Sequence, residues 1–424
     1  MQLFTIILNT MRKNKVSKKL NVNNIANGLT KTRSGYLNSF FKKMFFKKLN
    51  YIENGYIEID IDNKVQFFGD KKSNDKARIK ILSQDFFTLL GSGGLNGAAE
   101  AYSLGLWECE ELVILIRILA KNRKLMTSFD SGFAKLLNPV NKFIHFTRRN
   151  SIIGSKRNIL AHYDLSNDFY KLWLDPTMTY SCAIFDNDKT SLEKASLEKL
   201  DRICRKINLN ENDHLLEIGT GWGSFSLHAA KKYGCKITTT TISDSQYDYA
   251  LSKIHEQNLS DKITLVKKDY RHLKGTYDKI VSIEMIEAVG HNNISTYMSK
   301  VSSLLKDNGV FALQGITYND QNFDVYKNSV DFINKYIFPG ACLISISQIM
   351  NALKNHTDLI MQDLEDITIH YAKTLNLWRE RFHASKNEIK ELGFSENFIR
   401  LWDFYFVYCE AGFLEKNIGD YQFI

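Results

Sequence analysis

Residues 215–224 constrain the fold more than any other part of the chain. The segment opens with an apolar run typical of a buried strand, continues with glycine at Gly219, Gly221 and Gly223, and leads into a helical pattern from Ser224. Glycine lets a ligand approach the backbone, because no Cβ stands in the way. This order of strand, turn and helix predicts a nucleotide-type site in an α/β fold.

Two features favour S-adenosylmethionine over a dinucleotide at this turn. Its spacing is GxGxG rather than GxGxxG, and Glu217 lies two residues before the first glycine. The acid that a dehydrogenase places about 20 residues further on is missing. Hydroxyl and amide side chains of residues 238–246 stand there instead. The predicted cofactor residues in these two segments are Glu217, Gly219, Gly221, Gly223, Thr241, Ile242 and Gln246.

Asp269 and Tyr270 follow the third predicted strand, where the adenine end of the cofactor lies in this fold. An acid there accepts a hydrogen bond from the exocyclic amine, and an aromatic ring stacks on the base. Taken alone, the triplet Asp269-Tyr270-Arg271 is more typical of an ordinary loop at a strand end. We include Asp269 and Tyr270 in the predicted cofactor site.

Strands and helices alternate regularly from Leu200 onward, which predicts a mostly parallel α/β sheet. Together with the cofactor turn, this layout gives the fold expectation, a Rossmann-like class I methyltransferase with a mostly parallel seven-stranded sheet. Strands are expected at residues 214–218, 236–242, 263–266, 279–283, 310–316 and 359–363. Helices are expected at residues 224–233, 245–257 and 294–305.

A smaller α+β unit is predicted at residues 53–130. Alternating residues at 56–68 predict strands with a turn at Asp62 and Asn63, residues 91–97 predict a flexible glycine turn, and residues 98–122 predict a helix. Residues 131–160 are predicted as a linker and residues 161–424 as the methyltransferase domain.

Residues 1–52 form a basic N-terminal arm, with eleven lysines and arginines and no acid, in a chain of net charge +9. Its apolar cluster is Phe40, Phe41, Met44, Phe45 and Phe46. Such an arm suits an anionic phospholipid surface, at about 1 kcal/mol per basic residue. It would also attract nucleic acid, which we do not expect as the partner, and a solvated terminus beside an ordinary amphipathic helix is the plainer alternative.

The apolar stretches at residues 3–8 and 112–119 are shorter than the about 20 residues of a membrane span, so we expect peripheral membrane contact. Six scattered cysteines without CxxC pairs fit reduced thiols in the cytoplasm. No metal site is expected, and His162 is interpreted as either a base or a hydrogen-bonded structural residue.

Residues 161–185, from Ala161-His-Tyr-Asp to Ala-Ile-Phe185, closely resemble the active-site entry segment of the cyclopropane-fatty-acyl-phospholipid synthases and mycolic-acid methyltransferases. Similarity continues at residues 215–224, 241–246, 282–290, 370–375 and 402–413. The resemblance covers the predicted methyltransferase domain almost completely, and residues 77–122 resemble that family's N-terminal lipid-associated domain.

The resemblance implies methyl transfer from S-adenosylmethionine to a cis double bond of a phospholipid acyl chain at the inner face of the cell membrane. A carbocation forms and loses a proton to a bound bicarbonate ion as a cyclopropane ring closes. By motif, Cys182, Glu287 and Tyr405 contact the ion, Ile316 is its apolar neighbour, and Tyr180 and Ser181 lie beside the cofactor. The family also includes dimers, so a homodimer is possible.

Gln314 departs from the family pattern, which has histidine at this position. Glutamine donates an N–H but carries no charge and shuttles no proton. This departure supports an alternative, an acyl-chain methyltransferase that gives methyl-branched or methylene products without closing the ring.

Purely structural roles for the same residues, and other functions for the chain, are the alternatives. Outside its motif, Cys182 is typical of a small buried hydrophobe, Glu287 of a helix cap, and Tyr405 of a core residue. A non-catalytic lipid-binding protein on a methyltransferase scaffold is the alternative from another class. A small-molecule N-methyltransferase is a further one, although it has no need of the basic, apolar N-terminal unit.

Overall fold

The structure is a computed structural model that describes residues 35–122 and 165–424. The predicted linker at 131–160, most of the basic arm, and His162 lie outside the described residues. The described residues form two sheets, one in each predicted unit.

The N-terminal unit contains a four-stranded sheet in the order β2-β1-β3-β4. Asp62 and Asn63 join β1 and β2 with φ values of 53° and 60°, as a two-residue hairpin turn requires, so the predicted turn is confirmed. The strands are β1 (Tyr56–Ile61), β2 (Lys64–Gly69), β3 (Lys76–Ile81) and β4 (Trp107–Cys109).

Three helices cover this sheet: α1 (Gly35–Leu49), α2 (Asp85–Ser103) and α3 (Leu112–Lys121). Two predictions were wrong here. Residues 91–97 are not a free turn but lie inside α2, which kinks at Gly94 (φ 58°, ψ −137°), because buried packing stabilises the helix despite its glycines. The helix predicted at 98–122 is divided by Gly105 (φ 71°) and by β4.

The apolar cluster of the predicted arm is partly buried. Phe41, Phe45 and Leu49 on α1 lie in the core of the N-terminal unit, whereas Phe40 is 51% exposed. A Cβ built on Gly91 of α2 would lie 2.1 Å from the ring of Phe41, so glycine is what allows the two helices to approach. The predicted boundary at residue 52 therefore separates α1 from the unit into which it packs.

The second sheet has seven strands in the order β10-β11-β9-β8-β5-β6-β7. Strands β5 to β9 run parallel, and β11 lies antiparallel between β9 and β10, so the predicted mostly parallel sheet is confirmed. The strands are β5 (His214–Ile218), β6 (Lys236–Thr240), β7 (Ile263–Val266), β8 (Tyr277–Ile283), β9 (Leu305–Tyr318), β10 (Leu364–Asp366) and β11 (Ile418–Phe423).

Two strands differ from the prediction. The strand expected at 359–363 is instead β10, just after that range, and β11 was not predicted. Strand β11 places Asp420 and Gln422 fully inside the protein, so it lacks the apolar run typical of a buried strand.

Helices flank the second sheet, and the predictions at 224–233, 245–257 and 294–305 hold to within one residue. The helices are α4 (Asn167–Lys171), α5 (Leu192–Lys206), α6 (Ser224–Tyr233), α7 (Asp244–Glu256), α8 (Ile294–Leu304), α9 (Phe323–Tyr326), α10 (Ile346–His356), α11 (Thr368–Ala384), α12 (Lys386–Glu391) and α13 (Glu396–Leu414).

Helix α13 joins the two units, because it packs on α11 within the methyltransferase fold and on α2 and α3 of the N-terminal unit. The hydroxyl of Tyr102 on α2 donates to Asp403 at 2.7 Å, and Arg117 on α3 pairs with Glu415 at 2.7 Å. One hydrophobic core runs through both units.

Candidate active site

A cavity of about 850 Å³ lies where the carboxyl ends of β5, β6, β8 and β9 meet the N-terminal unit. Ligands of open α/β sheets bind at this edge of the sheet. The predicted cofactor residues at its wall are Tyr180, Ser181, Glu217, Gly219, Gly221, Thr241, Ile242, Gln246, Asp269 and Tyr270.

The glycine turn after β5 has the shape that its sequence requires. Gly219, Gly221 and Gly223 have φ values of 103°, 54° and 94°, which a residue with a Cβ rarely adopts. A Cβ built on Gly221 meets no atom within 4 Å, so open space lies against the backbone of the turn. Gly223 does not line the cavity but begins α6.

Glu217 is buried behind this turn. Its carboxylate accepts hydrogen bonds from the hydroxyls of Ser226 and Thr239, the second at 2.5 Å. Burial raises the pKa of Glu217 from 4.5 to about 7, and the two hydroxyl bonds oppose that rise. The side chain thus holds the base of the turn to β6 and α6 while it lines the cavity.

The predicted adenine-end residues are held by a neighbouring arginine. Arg271 donates to both oxygens of Asp269 at 2.7 and 2.8 Å, and its guanidinium lies 5.3 Å from the ring centre of Tyr270. A carboxylate has about four lone-pair positions, so Asp269 can still accept from a ligand.

Glu284, directly after β8, lies at the cavity wall and accepts three hydrogen bonds. Its Oε1 accepts from the backbone N–H of Cys182 at 2.8 Å and from the side chain of Gln314 at 2.8 Å. Its Oε2 accepts from the hydroxyl of Tyr371 at 2.6 Å. Burial raises the pKa of Glu284, while the nearby charge of Lys199 and these hydrogen bonds oppose the rise.

Asp420 of β11 lies behind Glu284. Burial, and then the charges of Glu284 and Glu287, raise the pKa of Asp420 well above its usual range. Gln314 donates to both Glu284 and Asp420, at 2.8 and 3.1 Å, and is itself buried behind the cavity wall.

Cys182 does not contribute its thiol to the cavity. Its Sγ lies 3.2 Å from the carbonyl oxygen of Ala183 and 3.8 Å from that of Ile367, and the side chain is fully buried. Burial raises the pKa of this thiol well above its usual range. The residue serves the site through its backbone N–H.

Glu287 lies beside Ile316, as expected from the resemblance. Its Oε1 accepts from the backbone N–H of Ile316 at 2.6 Å, and its buried Oε2 has no hydrogen-bond partner among the described residues. Burial, together with the charge of Glu284, raises the pKa of Glu287 to about 8.

Aromatic rings surround the space next to these acids. The hydroxyls of Tyr180 and Tyr405 lie 3.0 Å apart. The ring of Phe338 lies 6.2 Å from that of Tyr180 and 6.1 Å from that of Tyr405, and all three residues line the cavity. Ring faces in a site away from water stabilise a cation.

Lys199 is a site residue that the sequence did not reveal. Its ammonium is buried and donates to the hydroxyl of Ser181 at 2.7 Å. Burial lowers its pKa, and the nearby acids Glu284 and Asp420 oppose that change. A lysine on an amphipathic helix usually faces water, so no local pattern indicates its burial. Glu284 and Tyr371 lie in the segments of family resemblance at 282–290 and 370–375, but neither is among the predicted site residues.

The predicted bicarbonate ion does not fit this arrangement. The N–H groups of Cys182, Gln314 and Ile316 already donate to the carboxylates of Glu284 and Glu287. An added anion would therefore meet two acids instead of free donors. Among residues 35–122 and 165–424, no cluster of three or more potential metal ligands occurs.

The fold and this site define a class I S-adenosylmethionine-dependent methyltransferase, with an open glycine turn for the cofactor and an aromatic, apolar cavity beside it. The model of the family described as mycolic acid cyclopropane synthetase matches residues 151–423. The chain belongs to this family, and its members act on lipids.

Curated relatives and solved structures agree with that assignment. The chain is 35% identical to tuberculostearic acid methyltransferase UfaA1 of Mycobacterium tuberculosis over 340 residues, 78% of this chain and 79% of that one. It is 34% identical to cyclopropane-fatty-acyl-phospholipid synthase of Escherichia coli over 357 residues, 82% and 87% of the two chains. Mycolic acid cyclopropane synthase CmaA1, solved with SAH and CTAB, superposes with a TM-score of 0.59 at 30% identity, over 63% of this chain and 96% of that one.

Proposed function

We propose that the protein transfers the methyl group of S-adenosylmethionine to a cis double bond of an unsaturated phospholipid acyl chain, with Glu284 as the base. The observation that carries this proposal is the position of Glu284, which is held by Cys182, Gln314 and Tyr371 at the wall of an apolar cavity. A carboxyl group whose pKa is raised toward the working pH is a more effective proton acceptor.

The chain's residues have distinct parts in this reaction. The methyl group bonds to one alkene carbon with the alkene's electron pair, the sulfonium becomes a neutral thioether, and the other alkene carbon becomes cationic. The faces of Tyr180, Tyr405 and Phe338 stabilise this cation. Glu284 then accepts a proton from the transferred methyl group.

The timing of that proton loss decides the product. Immediate loss closes a cyclopropane ring, whereas a hydride shift to the cationic carbon before the same proton loss leaves a methylene branch. We propose the methylene branch as the main product. Ring formation was expected to use a bound ion as the base and a histidine beside it, whereas this chain has Glu284 as its own fixed base and Gln314 in place of the histidine. That UfaA1 is named a tuberculostearic acid methyltransferase supports this choice.

The test uses purified protein, vesicles of unsaturated phosphatidylglycerol and S-adenosylmethionine with a trideuterated methyl group. We expect mass spectrometry to show acyl chains that carry two deuterium atoms on the added carbon. Mild hydrogenation should reduce the double bond to that carbon. A product with two deuterium atoms that resists hydrogenation is a ring and overturns the methylene assignment. Absence of label in lipid overturns the function itself.

We also propose that the enzyme works at an anionic phospholipid surface. No helix among the described residues is long and apolar enough to cross a membrane. The exposed ring of Phe40 lies on α1 in a segment with Lys42, Lys43 and Lys47, a combination that favours such a surface. Sedimentation with anionic vesicles and lack of it with zwitterionic vesicles is the expected result, and equal binding to both contradicts the proposal.

A further inference from the structure

One wall of the catalytic cavity belongs to the N-terminal unit rather than to the methyltransferase fold. On α3, Ile116, Leu119 and Ala120 share one face, because residues three and four apart lie side by side on a helix. On α2, the residues around the kink at Gly94 face the same space. The α2 residues that line it are Gly93, Leu95, Asn96 and Ala98.

Helix α13 also lines this space and connects it to the catalytic end. Tyr405, Tyr408, Cys409, Gly412 and Phe413 line the cavity with the spacing of a single helix face. The axial distance from Tyr405 to Gly412 is about 10 Å at 1.5 Å per residue. The cavity therefore continues well past the aromatic rings of the catalytic site.

The N-terminal wall leaves space for a ligand because small residues stand at three of its positions, Gly93, Ala98 and Ala120. A Cβ built on Gly93 meets no atom within 4 Å, although Gly93 lies within α2 and lines the cavity. Ala98 and Ala120 line it with a single methyl group each. A larger side chain at Gly93 would thus project into open space rather than into a neighbouring element.

The chemistry of this wall suits a hydrocarbon. Its polar side chain, Asn96, already donates to the carbonyl oxygen of Val330 at 2.9 Å. The cations of α3 point elsewhere: Arg117 pairs with Glu415 at 2.7 Å and Lys121 with Asp75 at 2.5 Å. No lysine, arginine or histidine of α2 or α3 lines the cavity, so a phosphate would be buried here without a cation beside it.

We propose that this part of the cavity holds the methyl-terminal segment of the acyl chain, so that the N-terminal unit sets how many carbons beyond the double bond the enzyme accepts. The inference rests on the proposed function and adds to that function the residues that determine chain-length specificity. It assigns the polar end of the lipid to another opening of the cavity, because α2 and α3 offer a phosphate no cation here.

Three phosphatidylglycerol substrates test this assignment. Palmitoleoyl and oleoyl chains have equal numbers of carbons between the ester and the double bond, whereas palmitoleoyl and cis-vaccenoyl chains have equal numbers beyond it. Gly93→Leu narrows the space, and Leu119→Ala widens it. Ile114→Ala is the matched control for the latter, because Ile114 is a half-buried residue of α3 that does not line the cavity.

We expect Gly93→Leu to lower kcat/KM for oleoyl chains about tenfold relative to both other substrates, since two methylene groups lose their burial. Leu119→Ala should shift the same ratio in the opposite direction, and Ile114→Ala should leave it unchanged. Opposite shifts cannot come from impaired folding, which lowers all three rates together.

Two results would overturn the inference: unchanged ratios in both cavity variants, which includes equal losses on all three substrates, or selective loss of the cis-vaccenoyl substrate. The last result would place the ester-side segment at this wall. Failure of the proposed function is separable, because it shows as absence of labelled lipid with the wild-type protein on every substrate.

Discussion

The backbone N–H of Cys182 donates to Oε1 of Glu284 at 2.8 Å and so fixes the acid at the wall of the catalytic cavity. Glu284→Gln keeps the size of the side chain but removes the proton acceptor. We expect it to lower the rate of lipid labelling by about 10²–10⁴-fold with unchanged S-adenosylmethionine affinity. Calorimetric titration of the cofactor and labelled-product assays measure the two quantities. Glu391→Gln, an exposed carboxylate on α12, is the control.

Glu284→Gly should be rescued by small carboxylates. The glycine variant leaves the donors of Cys182, Gln314 and Tyr371 without an acceptor, and it suits a backbone with φ of 47°. Formate or bicarbonate should restore labelling in a saturable way, but should not restore it in Glu284→Gln, in which the amide still fills the space. Glu284→Gly activity equal to wild type without added anion would contradict the assignment of the base.

Substitutions of Tyr405 should separate its ring from its hydroxyl. Tyr405→Phe loses the contact with the hydroxyl of Tyr180 at 3.0 Å but keeps the ring face. Tyr405→Leu loses both. If the ring stabilises the cation, the leucine variant should be slower than the phenylalanine variant by roughly 30-fold, which corresponds to about 2 kcal/mol. Equal rates in single-turnover labelling would remove the ring from the mechanism.

Because of Glu217, the free energy of unfolding should decrease as pH rises from about 4.5 to about 7. Burial raises its pKa from 4.5 to about 7, so within this range the folded protein holds a proton that the unfolded chain releases. Its contribution is complete below pH of about 4.5, is lost as pH approaches 7, and amounts to about 3 kcal/mol. Urea unfolding at several pH values should show a shallower decline in Glu217→Gln than in wild type, whereas parallel curves would refute the shift.

Tyr102 should stabilise the docking of the N-terminal unit through its bond of 2.7 Å to Asp403. Arg379 and His383 still bond Asp403 in Tyr102→Phe, so the variant should lose about 1.5–3 kcal/mol, typical of a hydrogen bond to a charged group. Hydrogen exchange should rise in α2 and α3.

Tyr233→Phe is the matched control for that experiment, because Tyr233 donates to Asp201 at 2.9 Å within the methyltransferase fold. It should leave exchange in α2 and α3 unchanged. Equal exchange in both variants would mean that the bond of Tyr102 does not hold the two units together.

The sequence predicted those parts of the fold whose structure depends on local pattern. The glycine turn, the strand at 214–218 and the turn at Asp62 and Asn63 follow from residue type and spacing alone, and the structure has them as predicted. The helical state of residues 91–97 depends instead on the packing of α2 against α1, where a Cβ on Gly91 would meet Phe41. No local pattern contains that information.

The sequence predicted which segments form the site, but not how their side chains are arranged or bonded. Tyr180, Glu287, Ile316 and Tyr405 lie at the cavity, but the thiol of Cys182 points away from it. Burial of Lys199 and Asp420 next to Glu284 comes from the meeting of α5, β8 and β11, which are far apart in the chain. Contacts between segments so far apart cannot be inferred from the spacing of residues in the sequence.

The backbone of Glu284 has a left-handed conformation that glycine adopts without strain. Glutamate and glycine codons differ by a single nucleotide, so one mutation converts a site with its own base into one with an empty place lined by hydrogen-bond donors. The reverse mutation is equally short. With Glu284 as the proposed base, this single step would exchange catalysis by the chain's own acid for dependence on a dissolved anion, and dissolved carbon dioxide would limit only the second kind of enzyme.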